Sequence, residues 1–291
     1  MTEQNSGISL ANKKLKSALH HWWPQCVSKR WLNDEGVIYH LFWDERCIPQ
    51  TNPKNFGAIK DAHFIKHAIY PTDWDESFEE AFGFVDGKFP TILDWLAELQ
   101  EKPLLQDEEQ ENLDILLECL LSLVVRSPRF RNQIKLNIEN ITKQQTDEKL
   151  IKMNQRDTLN IFKNNLRGQG KFAVIYSKEH EFIFGDGFYN NFTSSVGIPI
   201  EPRIIAPLTP TICVFYSRPI SYMRHPRLIS MELEKEDIDF INETTMTYSQ
   251  SYLFYRSQQP TITETFRCNK FLEYTTNSGD PVITAFSKIF K

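Results

Sequence analysis

The sequence predicts an α+β fold, in which a helical N-terminal two-thirds packs with a mainly antiparallel sheet from the C-terminal part. Apolar residues recur at helical spacing through the middle of the 291-residue chain. After Gly168-Gln169-Gly170, short β-branched and aromatic runs alternate with turn residues, which is typical of strands. The order of these segments differs from the regular strand–helix alternation of a parallel doubly wound protein.

The chain is predicted to form a single α+β domain over residues 13–291, after a flexible tail at residues 1–12. A length of 291 residues suits one large domain or two small ones. The glycines at residues 168–170 are the best candidate for an internal boundary. They mark either such a boundary or a loop inside the single domain.

The N-terminal part is predicted to contain one strand and one helix. The strand covers Val37–Trp43, directly after the turn residues Asn33–Gly36. Cys47–Gly57 contains two prolines and is predicted to be a loop. Aromatic residues at steps of three and four then predict a helix over Asp73–Phe89.

The clearest helical pattern covers Leu113–Val124, where aliphatic residues keep the helical period until Ser127-Pro128 ends it. A polar helix, broken at most once, is predicted over Asn132–Asn165, and another helix over Glu234–Arg256. Between them lie four predicted strands, over Phe172–Tyr176, Glu181–Phe184, Arg203–Ala206 and Thr211–Tyr216.

Composition excludes several classes of protein. The formal net charge of −5 comes from 33 basic and 38 acidic residues, so the overall basic field of many nucleic-acid binders is absent and only a local basic groove remains open. The five cysteines are scattered and form no C-x-x-C pair, which favours reduced thiols. Because no long apolar run or apolar N-terminal segment is present, we predict a cytoplasmic protein without a membrane partner.

Standard catalytic motifs are also missing from the sequence. There is no G-x-x-x-x-G-K-[ST] phosphate loop, no G-x-G-x-x-G after a strand and no G-x-S-x-G turn. His63 and His67 have zinc-helix spacing, but Phe64 stands where a metalloprotease has its glutamate base, which favours an ordinary helix face. Glu79 and Asp86 share a helix face about 10 Å apart, too far to chelate one ion easily. We predict no metal site, and the cofactor is unknown.

Two segments in the first half of the chain resemble a family pattern. His21-Trp22-Trp23-Pro24-Gln25, followed by Lys29-Arg30-Trp31, resembles an opening written HYVPQ…LRRF. Arg126-Ser127-Pro128-Arg129-Phe130-Arg131, at the end of the apolar helix, resembles a segment written R[TS]P.FR. Both belong to the bacterial family known as domain of unknown function 4238.

Later segments are similar to the same family. Phe184-Gly185-Asp186-Gly187 and the following Ile205–Pro210 resemble its paired sDnP and PLsP segments, with Gly187-Phe188 where the family has Asn-Pro. Asp239–Asn242 is similar to its closing helix. The resemblance extends over residues 15–256 and implies a bacterial protein of this family, without implying a reaction.

His21, Arg126 and Asp186 are the candidate catalytic residues. His21 is either a half-buried imidazole bonded to backbone among aromatic rings or a general base or ligand. Arg126 is in register with the apolar stripe, where its guanidinium needs a planar acceptor. That acceptor is either a carboxylate, such as Asp186 or Glu79, or the phosphate of a ligand. In the catalytic hypothesis Asp186 orients the histidine or binds a metal.

Four further residues are candidates for ligand binding: Arg30, Arg129, Arg131 and Asn242. The arginines could hold phosphate or form structural ion pairs. Asn242 lies on the apolar stripe of its predicted helix, so its amide needs partners. It either caps a loop inside the fold or touches a ligand.

Two functions from different classes remain. The first is a nucleic-acid- or nucleotide-directed hydrolase or toxin effector of a bacterial defence system, with Arg126 and Arg131 holding phosphate. The alternative is a non-catalytic interaction or sensor subunit of a larger assembly, whose aromatic surface binds a protein partner. A concave pocket uniting His21, Arg126 and Asp186 favours the first, and many exposed Phe and Trp side chains favour the second.

Overall fold

The computed structural model describes residues 18–52, 54, 56–65, 76–101, 110–192, 198–218, 225–272 and 280–290. The tail predicted at residues 1–12 lies outside the described residues. So do His67 and the predicted start of a helix at Asp73.

The fold is α+β, but the prediction of a helical N-terminal two-thirds is wrong. Strands lie in both the N-terminal and C-terminal parts of the chain, and the long helices lie between them. The N-terminal strands are β1 (Leu19–His21), β2 (Ile38–Phe42), β3 (Cys47–Gln50), β4 (Ala58–Lys60), β5 (Phe64–Ile65) and β6 (Glu76–Ser77). Most contain two to four residues, too few for a hydrophobic period of two to be visible in the sequence.

The first four-stranded sheet combines strands from both ends of the chain. Its order is β3-β2-β12-β8, where β8 is Phe184–Gly185 and β12 is Tyr252–Tyr255, and all its neighbours are antiparallel. Pro49 was a reason to predict a loop, but it lies in the edge strand β3, where a missing N–H is tolerated.

The second four-stranded sheet is built from the C-terminal part and confirms three of the four strands predicted there. The strand predicted over Glu181–Phe184 is wrong apart from Phe184, which begins β8 in the first sheet. Its order is β11-β7-β10-β9. β7 (Lys171–Tyr176), β10 (Ile212–Ser217) and β9 (Arg203–Thr209) pair antiparallel, whereas β11 (Leu228–Glu232) pairs with β7 in parallel. Every residue of β7, β9 and β10 is buried, which explains their continuous apolar runs.

The long helices lie between the N-terminal and C-terminal strands in the chain. They follow the short α1 (Gln25–Ser28) and are α2 (Glu80–Glu98), α3 (Gln110–Arg126), α4 (Pro128–Thr142) and α5 (Glu148–Leu166). The stop predicted at Ser127-Pro128 is confirmed: the Ser127 hydroxyl accepts the Phe130 N–H at 3.1 Å and caps α4. The polar helix is broken once, at the residues between α4 and α5.

The last helices are α6 (Lys235–Thr247), α7 (Glu264–Arg267) and α8 (Pro281–Ile289). The helix predicted over Glu234–Arg256 is therefore too long, because Tyr252–Tyr255 leaves it and pairs as β12 with β2 and β8. Burial between two strands overrides the helical spacing of the tyrosines.

One main hydrophobic cluster extends from Trp22 to Phe290 and includes residues on both sides of residues 168–170. Trp22, Trp23 and Trp31 are buried in it, and the Trp31 indole N–H donates to the Leu208 carbonyl at 3.0 Å. These contacts fix the N-terminal segment against the rest of the protein. Among the described residues, no helix has the length and apolar character needed to cross a membrane.

Candidate functional site

Six polar residues from four segments form one contact network, which we call the histidine–acid cluster. β1 supplies two histidines, the turn before β5 supplies a third, α2 and the residue before it supply two acids, and α3 ends on an arginine. These residues are His20, His21, His63, Glu79, Asp86 and Arg126.

The position of β1 depends on a close approach of the chain at Gly57. The Gly57 carbonyl accepts the N–H groups of Trp22 and Trp23, at 2.7 and 3.1 Å. Gly57 has a φ of 66°, and a Cβ there would lie 2.8 Å from the Trp23 Cβ. Only glycine fits this position easily. The close approach, together with the pairing of β1 with β4, fixes His20 and His21 beside α2.

Arg126 has the planar acceptor that its position requires, and it is Asp86. The two guanidinium nitrogens donate to the two carboxylate oxygens at 2.8 and 3.0 Å. The Arg126 side chain is 0% exposed and that of Asp86 is 31% exposed. Arg126 also lies 4.6 Å above the Phe82 ring and donates to the His21 carbonyl at 3.4 Å. Because its donors are occupied, Arg126 holds Asp86 and the β1 backbone in position.

His63 and Glu79 form the second acid–base pair. Burial lowers the pKa of His63 to about 4, so the imidazole is neutral near pH 7. A neutral His63 must donate its Nδ1–H to Glu79, because an ionised carboxylate can only accept. Burial acts to raise the pKa of Glu79, but the His63 hydrogen bond and the nearby His20 and Arg126 outweigh it, and the pKa is lowered. Glu79 is thus an ionised carboxylate with a 43% exposed side chain.

His20 is the buried member of the β1 pair. Its Nδ1 accepts the His63 backbone N–H at 3.3 Å, which leaves the proton of the neutral ring on Nε2. Its ring lies 5.0 Å from the His63 ring and edge-on to Phe64 at 4.4 Å. Burial is the main cause that lowers its pKa. His20 therefore connects β1 with the turn that carries His63.

His21 is only partly buried. Its ring nitrogens lie 3.3 and 3.4 Å from the Gln25 amide nitrogen. Burial lowers its pKa, while a hydrogen bond to the Lys54 backbone and the charges of Glu79 and Asp86 act in the opposite direction. The net effect is a lowered pKa, so His21 is a neutral imidazole near pH 7 with two carboxylates close enough to stabilise a positive charge.

Asp186 lies in a different contact network, which we call the Asp186 clamp: Gly185, Asp186 and Gly187 against Tyr248–Ser251. Its two carboxylate oxygens accept the N–H groups of Gln250 and Ser251 at 2.8 and 2.9 Å. A Cβ at Gly185 would lie 2.1 Å from the Ser249 hydroxyl oxygen, and a Cβ at Gly187 would lie 2.0 Å from the Tyr248 carbonyl oxygen. Burial raises the pKa of Asp186 to about 6. The clamp fastens β8 to the chain between α6 and β12.

Arg129 supports the same region from α4. Its side chain is buried, and it donates to the carbonyls of Phe188, Asn190 and Leu272, each at 3.2 Å. It also lies 4.5 Å above the Tyr248 ring, and burial lowers its pKa to about 10. These contacts use Arg129 to order three stretches of backbone.

The remaining candidates have protein partners too. Asn242 accepts the Ile183 N–H at 3.0 Å and donates to the Glu181 carbonyl at 2.9 Å, which is the loop-capping geometry. Arg131 pairs with Glu148, and the exposed Arg30 pairs with Asp94.

The structure thus brings His21 and Arg126 together and adds residues that the sequence interpretation left out of the site. His20 and His63 were not among the candidate residues. Glu79 and Asp86 were considered as a metal-chelating pair and rejected, and Glu79 was named only as one acceptor for Arg126. The useful signal was the seven-residue spacing of the two acids beside an aromatic stripe, combined with an arginine in need of an acceptor. Within the described residues, no group of three or more His, Cys, Asp or Glu side chains has a geometry that could hold a metal ion.

Comparison with protein-family models gives a match. A family model described as "Protein of unknown function (DUF4238)" matches residues 19–172, more than half of the chain. The chain belongs to this family. The part that matches the DUF4238 model contains all six residues of the histidine–acid cluster and ends before Asp186. No curated protein and no solved structure matches the chain.

Proposed function

We propose that this DUF4238 protein is a hydrolase directed at nucleic acids or nucleotides, with His21 as its general base. The observation that carries the proposal is the state of the His21 imidazole. It is neutral, partly exposed and adjacent to two ionisable acids, Glu79 and Asp86. A general base needs these properties, because it must be unprotonated before the reaction and stabilised after it accepts a proton.

The surrounding residues have separate parts in the proposed reaction. His21 takes a proton from a water molecule or hydroxyl as that oxygen attacks phosphorus. The P–O bond to the leaving oxygen breaks, and the imidazolium of His21 or solvent returns a proton to that oxygen. The charges of Glu79 and Asp86, which act to raise the pKa of His21, stabilise the imidazolium that forms. His63 holds Glu79, and Arg126 holds Asp86, so both act as positioning residues.

The net charge of the protein narrows the choice among phosphate-bearing substrates. With a net charge of −5, long-range attraction of a polyanion is absent, so phosphate must be bound by local groups. This favours a nucleotide or a short single-stranded segment over a long duplex. A toxin effector of a bacterial defence system is the biological setting that we propose for such a hydrolase.

The distribution of aromatic residues supports the hydrolase over a non-catalytic interaction or sensor subunit. An aromatic binding surface needs exposed Trp and Phe side chains. Among the described residues, the large aromatic side chains that are exposed are Trp43 at 39% and Phe84 at 62%. Most of the others fill the interior.

The test uses purified full-length protein and labelled RNA, DNA and nucleoside triphosphates. We expect His21→Ala to lower turnover by about 10²–10⁴-fold, the usual contribution of a general base. His180→Ala is the matched control, a partly buried histidine outside the cluster. Thermal unfolding of each variant distinguishes lost chemistry from lost folding, and growth of a bacterial host that expresses each variant tests toxicity.

A pH profile adds a readout that a structural role would not change. Because the pKa of His21 is lowered from 6.5, wild-type activity should persist below that pH and fall only at more acidic values. Glu79→Gln removes a charge that raises this pKa, so the acid limb should move to still lower pH. Equal activity of wild type and His21→Ala, or no turnover of any of these substrates, would overturn the proposal.

A further inference from the structure

A second site lies at one end of the β11-β7-β10-β9 sheet, away from the histidine–acid cluster. It is a cavity of about 230 Å³, lined by residues 168–171, Arg218, His225 and Arg227. Lys171 begins β7, Arg218 directly follows β10, and Arg227 directly precedes β11. Three neighbouring strands therefore bring three cationic side chains to one hollow.

The two arginines are held in place by neutral acceptors. Arg227 donates through Nε to the Gly170 carbonyl at 3.1 Å and through Nη2 to the Gln169 carbonyl at 3.0 Å. Arg218 donates to the Gln169 side chain at 3.1 Å and to the Ile200 carbonyl at 3.2 Å. The guanidinium groups are thus oriented before any ligand arrives.

The loop that forms one wall is fixed by glycine. Gly170 has a φ of 85°, and a Cβ there would lie 2.3 Å from the Tyr216 ring. This close contact presses the loop against β10 and keeps the carbonyls of residues 169 and 170 directed at Arg227. The conformation of this wall is therefore fixed by the fold.

The charges of Arg218 and Arg227 are not paired with acids among the described residues. None of the described lining residues is acidic, and neither Arg218 nor Arg227 pairs with a carboxylate in the described part of the chain. Lys171 is buried, and burial lowers its pKa. Gathering cations out of water is unfavourable unless an anion accompanies them. The arrangement therefore favours an anionic ligand.

The hollow and the histidine–acid cluster are separate sites. Arg227 also donates to the side chain of Gln110, the first residue of α3, whereas Arg126 of the cluster is the last residue of the same helix. At a rise of 1.5 Å per residue, the two ends of α3 are about 24 Å apart.

We propose that this hollow, which we call the basic pocket, binds the phosphate group of a small ligand. Its volume of about 230 Å³ is below the range of about 300–1,000 Å³ that is usual for drug-sized ligands. Orthophosphate, pyrophosphate or the terminal phosphates of a nucleotide fit this size. Guanidinium forks suit the oxygens of such an anion, because they donate paired hydrogen bonds. The proposal is independent of the chemistry assigned to His21.

The test measures pyrophosphate binding to the full-length protein by calorimetry and by the shift in melting temperature, with sodium chloride at equal ionic strength as reference. We expect Arg218→Gln and Arg227→Gln to weaken binding about tenfold or more, the usual effect of losing a charged hydrogen bond. Arg167→Gln is the matched control, because Arg167 is close in sequence to the pocket but does not line it, and its side chain is 73% exposed.

Parallel titrations with orthophosphate, a nucleoside triphosphate and a short single-stranded RNA identify the source of the phosphate. Tighter binding of the triphosphate that depends on Arg218 supports a nucleotide. RNA binding that is tighter than that of every small phosphate and depends on Arg218 would overturn the small-ligand proposal. So would equal pyrophosphate binding by all variants, or no binding by wild type. If Arg227→Gln does not fold, Arg218→Gln decides the test, because Arg218 does not donate to the backbone of the wall loop.

Discussion

The histidine–acid cluster and the Asp186 clamp contain similar residue types in different settings. In the cluster, Asp86 binds the Arg126 side chain and keeps 31% of its own side chain exposed. In the clamp, Asp186 is 2% exposed and binds two backbone N–H groups. The first carboxylate can still meet a ligand, whereas the second has its oxygens committed to the fold. Partner type and exposure, more than residue type, separate a candidate site from a structural contact.

The largest effect expected in the comparison comes from Asp86→Ala. This change leaves the Arg126 guanidinium, which is 0% exposed, without its carboxylate. Removing one partner of a buried ion pair lowers stability by about 3–5 kcal/mol. Urea unfolding at pH 7 measures the free energy of unfolding of the variant and wild type.

Arg126→Leu is the reciprocal variant and should be less damaging. It leaves Asp86, which is partly exposed and can be hydrated by water, so we expect a loss of about 1–2 kcal/mol. The double variant Asp86→Ala/Arg126→Leu should recover part of the Asp86→Ala loss. Equal losses for the two single variants would contradict the assignment of Arg126 as the buried partner.

The next effect tests the clamp. Asp186→Ala removes the acceptor of two backbone N–H groups and should lower stability by about 2–3 kcal/mol. Because Asp186 is structural in this comparison, the folded fraction should keep the turnover per molecule of wild type. Activity measured per folded molecule, with the folded fraction taken from circular dichroism, checks this. A stable variant that has lost turnover would return Asp186 to the reaction.

The sequence predicted local patterns well and distant pairing poorly. The leucine stripe of α3 and its stop at Ser127-Pro128 were predictable because both signals lie within a few residues. β8 and β12 were not, since their register is fixed by partners far along the chain. The same limit applies to the site.

Long-range partners also explain what was missed in the site. The need of Arg126 for a planar acceptor was readable, but Asp86 lies 40 residues away and had no mark of its own. Asp186 carried a clear mark, glycines on both sides, and that mark indicated close backbone approach to Tyr248 and Ser249. The flanking glycines therefore made Asp186 a prominent candidate. Asp86, the partly exposed acid, had no comparable local pattern and was not selected.

His40 is a third case, a buried histidine outside both networks, and the pH dependence of stability tests its role. Its ring stacks on Phe42 at 4.2 Å and Phe254 at 4.6 Å, and its buried Nε2 has no hydrogen-bond partner among the described residues. Burial lowers its pKa from 6.5 to about 4. Unlike His21, it has no carboxylate beside it among the causes of its shift.

His40→Phe should therefore flatten the acid sensitivity of the fold. Between pH 6.5 and 4 the unfolded chain binds the proton and the folded protein does not, so stability is full above 6.5 and is lost as pH falls through that window. At pH 5 the lowered pKa of His40 reduces the free energy of unfolding by about 2 kcal/mol relative to neutral pH. Urea unfolding at pH 7.5 and pH 5 should show that the variant loses less stability than wild type.

The variant must be compared with wild type because Asp186 contributes to the pH dependence of stability with the opposite sign to His40. Its pKa is raised from 3.8 to about 6, so the folded protein binds the extra proton, and stability from this group is lost as pH rises through that window. The wild-type profile mixes these two contributions with those of the other shifted groups, including His63, whose pKa is also lowered to about 4. An identical pH dependence of His40→Phe and wild type would show that the folded protein accommodates the charged His40 ring.

The smallest effect expected concerns Arg30, the candidate ligand residue at the surface. It pairs with Asp94, and the side chains are 44% and 60% exposed. Exposed pairs of this kind contribute about 0–1 kcal/mol, so Arg30→Gln and Asp94→Asn should each change the free energy of unfolding by less than about 1 kcal/mol. This near-neutral background makes Arg30 a sensitive probe of binding. If turnover falls in Arg30→Gln but not in Asp94→Asn, with both variants fully folded, the guanidinium contacts the ligand. If neither variant changes turnover, Arg30 belongs with the structural pairs.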